Sequence, residues 1–204
     1  LGLFFKAKEQ KNYGEDLPED TLLAFKAADG DENSFETLVR KYERFVSTCV
    51  YPIIGSADDT ADVCQEVFLK VYRSLSSFKG ESSFSTWLYR VAKNCAYDFV
   101  RKKKGENVSL DETDEDGKGL ELPDTDEKNY PEQTALKNER KQLLWAAVSR
   151  LSDEHREIIV LRDINDYTYE QITQMTGLEP GTVKSRLFRA REALKKQLLK
   201  ENYF

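Results

Sequence analysis

Trp87, Arg90, Lys93 and Asn94 are the residues whose types and spacing first suggest chemistry. They lie in the stretch SFSTWLYRVAKNCAYDFVRKKK, Ser83 to Lys104. At roughly 100° per residue, Arg90, Lys93, Asn94, Tyr97 and Arg101 share one helical face, and Leu88, Val91, Cys95 and Phe99 form an apolar stripe on another. Trp87 falls on the seam. An exposed indole stacks on an unpaired base of any identity, at about 1–3 kcal/mol per base. The neighbouring cations suit phosphate, and an asparagine amide adds base discrimination through its paired donor and acceptor. Periodicity alone leaves two alternatives open. A tryptophan on a seam packs as readily as it stacks, and the cations Arg101 to Lys104 complement a helix C-terminus as readily as they hold phosphate.

The second candidate site is YTYEQITQMTGLEPGTVKSRLFRAREALKK, which has helix-turn-helix grammar. Thr168 and Gln171 have capping-box spacing, Gly177 stops the first helix, and Pro180-Gly181 opens the second. On that second helix Val183, Leu187, Ala190 and Leu194 form the inward stripe. Thr182, Ser185 and Arg189 lie opposite, Lys184, Arg186 and Arg191 flank them, and Phe188 sits at the edge. From Thr182 to Lys200 there are seven cations and one acid, Glu192. Such a helix fits a major groove, with Arg189 on a guanine edge, the flanking cations on phosphates and Phe188 against a thymine methyl.

The elements that must position these residues are helices. Gly and Pro number only 10 and 5 among 204 residues, which favours helix over sheet. Apolar spacing predicts helices over about 19–28, from Phe35 to about Cys49 with Pro52 and Gly55 ending or bending it, and over 58–75 with Val63, Val67, Phe68, Val71, Tyr72 and Leu75 inside. Further helices are expected near 132–150, 153–163, 168–176 and 181–199. The net charge is −6, which would argue against nucleic acid if it were evenly spread. Instead, residues 111–132 hold ten acids and two bases, so the remainder is near neutral to slightly basic. The reading is all-α: an extension 1–16, a helical domain 17–104, a flexible acidic linker 105–131, and a second helical domain 132–204.

Cys49, Cys64 and Cys95 are odd in number, without CxxC spacing, and read as reduced buried thiols. No metal or cofactor pattern stands out, and no apolar run reaches the length of a membrane span. LGLFF is too short for a signal-peptide core, so a cytoplasmic protein without direct membrane insertion is expected. His155 is the sole histidine and has no nucleophile or carboxylate in a catalytic pattern, so no enzyme activity is expected.

In this order and spacing, the motifs resemble bacterial sigma factors of the extracytoplasmic-function group. DDTADVCQEVFLKVYRSL is similar to the family's region 2.2, FKGESSFSTWLYRVAKNCAYDFVRKKK to regions 2.3 and 2.4, and LSDEHREIIVLRDINDYTYEQITQMTGLEPGTVKSRLFRAREAL to region 4. The resemblance implies a first domain that binds the β′ clamp helices of RNA polymerase core and melts the −10 element. It implies a second domain that binds the −35 element as duplex and packs on the β flap. Carried over by position, Asp62, Gln65 and Glu66 form the core-binding face, which their helical spacing also allows. Lys79, Gly80, Ser82, Ser83 and Phe84, with Trp87, Arg90, Lys93 and Asn94, form the single-stranded −10 site. Thr182, Lys184, Ser185, Arg186, Phe188, Arg189 and Arg191 form the −35 helix. The family further implies promoter DNA as a partner and control by an anti-sigma factor, often membrane-anchored. A stand-alone helix-turn-helix regulator is the competing reading; it would need no single-strand surface. The acidic linker is expected either to mimic nucleic acid in a basic channel or to fold back on the chain's own basic surfaces.

Overall fold

The computed structural model describes residues 17–106 and 131–200, the side chains of 104–106 and 131–139 excepted. The extension 1–16 and the acidic stretch 107–130, with the fold-back expected of it, lie outside the described residues. Among those described there are eight α-helices and no strand, in keeping with the all-α expectation. Helix α1, Glu19–Ala28, begins after Pro18, with Glu19 and Asp20 in its first turn and Lys26 in its last, each complementing the helix dipole. Helix α2, Glu32–Ile54, is capped by Asp31, whose carboxylate accepts from Asn33 N at 3.1 Å and Ser34 Oγ at 2.6 Å. It does not stop at Pro52 but runs through to Ile54, with Gly55 as its cap. A proline this near the C-terminus removes one ladder bond from a turn that is about to end anyway.

Helix α3, Ala57–Ser74, is capped by Ser56 and closes with a 3-10 turn, Leu75–Ser77. Val63, Val67 and Val71 point inward as expected, but Tyr72 is 52% exposed, its ring resting edge-on against Phe35 at 5.0 Å. Helix α4, Phe84–Glu106, carries the first candidate site. Ser83 caps it, its hydroxyl accepting from Thr86 N at 3.2 Å. The second half comprises α5, Pro131–Ser149, then α6, Asp153–Ile159, prolonged by a π turn over Val160–Ile164, then α7, Tyr169–Thr176, and α8, Pro180–Lys200. The capping box of α7 is formed on both sides, and Gly177 ends that helix at φ +74°, a left-handed conformation that costs glycine little.

The two halves meet in one continuous buried cluster. Phe45 of α2 meets Tyr167 edge-on at 5.3 Å, and Tyr51 meets Trp145 of α5 at 5.7 Å. Polar contacts line the same seam. The Tyr89 hydroxyl and Lys93 Nζ of α4 both donate to Glu157 of α6, Thr48 Oγ1 donates to Asn165 Oδ1 at 3.1 Å, and Arg90 Nη2 donates to the Gln174 carbonyl at 2.9 Å. Nothing in the periodicity of either half announces this contact. Cys49 and Cys95 are buried and Cys64 half-buried, all with free thiols, and burial pushes the Cys64 thiol up to about 11.

Candidate nucleic-acid interface

The loop between the 3-10 turn and α4 stands on an aromatic floor. Phe78 lies beneath it, 5.8 Å from Phe84 and 5.5 Å from Trp87, and Tyr42 reaches Phe84 from α2 at 5.3 Å. Lys79, Gly80 and Ser83 are exposed on top and Ser82 is half-buried. Phe84 leaves the expected contact surface: at 1% exposed it is one of the largest fully buried side chains. As the first residue of α4 it turns inward, and the core takes it. Trp87 is half-buried, its ring 5.9 Å from Phe84 and facing Phe78. The seam position thus packs the ring against Phe78 and Phe84 while leaving the residue partly exposed.

Farther along α4, Asn94 and Arg90 are exposed and Lys93 is half-buried. Lys93 is engaged by Glu157 at 2.5 Å, with side-chain exposures of 35% and 16% for the two partners. Arg90 is held by the end of α7. Two of the three cations of the expected face, Arg90 and Lys93, are thus engaged by the chain's own second half. Tyr89 sits beside this pair, where burial first and then the charge of Glu157 push its hydroxyl far above the ordinary phenol range.

On α8 the two faces separate as the spacing predicts. Val183, Leu187 and Ala190 are buried and Leu194 is half-buried, while Ser185, Lys184 and Arg189 are exposed and Thr182 is half-buried. Phe188 is 69% exposed, a large apolar ring held in water. The flanking cations differ in their engagement. Arg191 makes a paired contact with both carboxylate oxygens of Asp163, and Arg186 meets Glu154 at 3.3 Å. Lys184 lies 5.8 Å from the centre of the Tyr169 ring, and Arg162 lies 5.3 Å from the same ring. Arg162 escaped the sequence reading because it precedes the helix-turn-helix and joins it only through the turn after α6.

Comparison with known proteins gives this geometry its context. The Sigma-70 region 2 profile matches residues 38–106, and the Sigma-70, region 4 profile matches residues 141–194. The ECF RNA polymerase sigma-E factor of Escherichia coli K12 is 36% identical over 179 residues, spanning 86% of this chain and 92% of the relative. The chain belongs to the extracytoplasmic-function group of the sigma-70 family. The Haemophilus influenzae sigma-E factor is 33% identical over 183 residues, covering 88% of this chain and 95% of the relative. Two solved structures share the fold at 23% identity. CnrH, in complex with the cytosolic domain of CnrY, has a TM-score of 0.65 and covers 91% of this chain and 99% of its own. RpoE of Bartonella quintana, in complex with the anti-sigma factor NepR, has a TM-score of 0.61 and covers 80% and 96%.

In this sigma factor Asp62, Gln65 and Glu66 are all exposed on one side of α3. The stripe continues to Leu69, 55% exposed, which borders an apolar groove of about 750 Å³ between α2 and α3, floored by Phe35, Val39 and Phe68. Leu69 was assigned from sequence neither to the inward stripe of this helix nor to its acidic face. Its position three residues after Glu66 and seven after Asp62 was the available signal. No metal-holding cluster occurs among the described residues.

Proposed function

We propose that this sigma factor directs core polymerase to promoters through two separate reading surfaces. Helix α8 takes the −35 element as duplex, through Thr182, Ser185, Phe188 and Arg189, with Lys184, Arg186 and Arg191 toward phosphates. The loop 79–83, with Trp87 behind it and Asn94, Arg90 and Lys93 along α4, takes the −10 element as a melted strand. Asp62, Gln65 and Glu66, extended by Leu69, bind the β′ clamp helices, while the second half packs on the β flap. The observation that carries the reading is the face of α8: a phenylalanine 69% exposed beside exposed Ser185 and Arg189 has no role in the chain's own packing.

The domain division follows as 17–104 for core binding and −10 melting and 132–204 for −35 binding, joined by the acidic stretch. Because Lys93 and Arg90 are engaged across the seam, melting requires the two halves to part. An anti-sigma factor controls the chain, a reading supported by the fold-sharing RpoE having been solved with NepR. The working compartment is the cytoplasm, where the polymerase is; no described helix is long and apolar enough to cross a membrane. The chain performs no chemistry of its own.

Transcription of a genomic fragment library by bacterial core polymerase, with and without the chain, tests the reading. Start sites that arise only with the chain and share elements near −35 and −10 are expected. Binding to duplex DNA but not to core polymerase would overturn it in favour of a stand-alone regulator.

A further inference from the structure

Helix α1 lies outside the matched Sigma-70 region 2 span, yet it touches the −10 loop at the loop's tightest point. Gly80 has φ +74°, and a Cβ placed on it would come within 3.1 Å of Phe25 Cζ and 3.4 Å of Thr21 Cγ2. Both contacting residues belong to α1. Thr21 is buried, and the Phe25 ring also stacks at a tilt on Phe78, 5.9 Å away, directly before Lys79. Phe25 therefore touches the loop at two points, its root and its bend. The helix carrying it is fixed in turn: the Tyr42 hydroxyl donates to Asp20 Oδ2 at 2.6 Å, and the Tyr42 ring packs on Phe84 at the start of α4. Loop, α1 and the start of α4 are locked to one another by side chains rather than by a backbone ladder.

We infer that Phe25 is a positioning residue for base selection at the −10 element: the end of its ring sets the height of Gly80, and with it the separation at which Lys79 and Ser82 receive an unpaired base. This rests on the reading that loop 79–83 takes that base. A tight, preset loop discriminates because a misfitting base leaves polar groups without partners; a loop free to shift accommodates any base.

The test uses holoenzyme assembled from the full chain and bacterial core polymerase. The probes are single-stranded oligonucleotides carrying the −10 sequence of a mapped start, with each of the four bases at each position. The readout is the ratio of dissociation constants between the best and worst base, with −35 duplex affinity measured alongside. Phe25→Leu withdraws the ring end, and Phe25→Tyr keeps the core volume but drives a hydroxyl at Gly80. Both are expected to lower the ratio about ten-fold, equivalent to about 1.4 kcal/mol, with duplex affinity within about two-fold. Gly80→Ala should lower it too. Combined with Phe25→Leu it should cost less than the two single effects multiplied, because the shorter side chain makes room for the new methyl. A ratio unchanged in both Phe25 variants, while Gly80→Ala and Lys79→Ala lower it, would overturn the role of Phe25 and leave the loop reading standing. A ratio unmoved by any of these substitutions would overturn the loop reading and the inference with it. Equal losses of single-strand and duplex affinity in both Phe25 variants would show a structural role only.

Discussion

Replacing Glu157 by glutamine should loosen the seam between the two halves without unfolding either. Glu157 accepts from Tyr89 and Lys93 at once. Glutamine keeps the volume and an acceptor for the tyrosine but removes the charge that Lys93 meets. A hydrogen bond to a charged group contributes about 1.5–3 kcal/mol and a neutral one about 0.5–1.5. Lys93 is 35% exposed, so solvent screening places the loss at the low end, about 1–1.4 kcal/mol. That corresponds to about a five- to ten-fold larger open population. Cys49 reports on opening, because it is 7% exposed and lies between α2, α4 and α6 beside Tyr89, Lys93 and Glu157. Cys95, 3% exposed, serves as the control within the first half. Thiol labelling, quantified peptide by peptide, should accelerate about five- to ten-fold at Cys49 and stay unchanged at Cys95. Equal acceleration at both cysteines would mean global unfolding, and no acceleration at Cys49 would mean that Glu157 does not hold the halves together; either result would exclude Glu157 as the latch between them.

Gly177→Ala meets no atom within 4 Å of its new methyl, so its cost is the left-handed backbone alone, about 1–2 kcal/mol, and calorimetry should show a Tm lower by roughly 4 °C. Leu69→Asp should leave the melting temperature nearly unchanged, since the side chain is 55% exposed, yet weaken binding to core polymerase by at least about ten-fold in an anisotropy titration. Alkaline pH should destabilise the fold. Burial raises the hydroxyls of Tyr89 and Tyr97, and that of Tyr167 to about 12, so the stability these groups contribute is fully present below about pH 10, the ordinary phenol value. As pH rises further, the unfolded chain loses these protons first and stability falls, which denaturant midpoints at pH 8, 10 and 11 will register.

Much of the architecture was legible because helices announce themselves by period and punctuation. Thr168 caps α7 and Gly177 stops it where the turn grammar places them, whereas the caps Asp31 of α2 and Ser56 of α3 emerge only from the structure. The face of α8 was readable for the same reason: Val183, Leu187 and Ala190 leave Ser185 and Arg189 no side but the outer one. What the period does not carry is contact across the chain. Arg90 and Lys93 read correctly as one polar face, but a polar face says nothing of what meets it, and here α6 and α7 do. Phe84 joined the binding loop by positional resemblance, which carries no information on burial; its place in the core depends on packing against Tyr42 and Phe78. Phe25 was invisible as a loop partner because its contact with Gly80 spans elements that only the fold brings together.

In the proposed function one chain reads −35 as duplex and −10 as an opened strand. Footprinting of the holoenzyme on a mapped promoter tests it directly, with hydroxyl radicals reporting backbone protection and permanganate reporting unpaired thymines. Backbone protection around −35 is expected to be lost in Arg189→Ala, and permanganate reactivity around −10 to be lost in a Trp87→Ala, Asn94→Ala double variant while the −35 protection remains. Loss of the −10 signal in the Arg189 variant with −35 protection intact, or permanganate reactivity that survives the Trp87 and Asn94 changes undiminished, would contradict it.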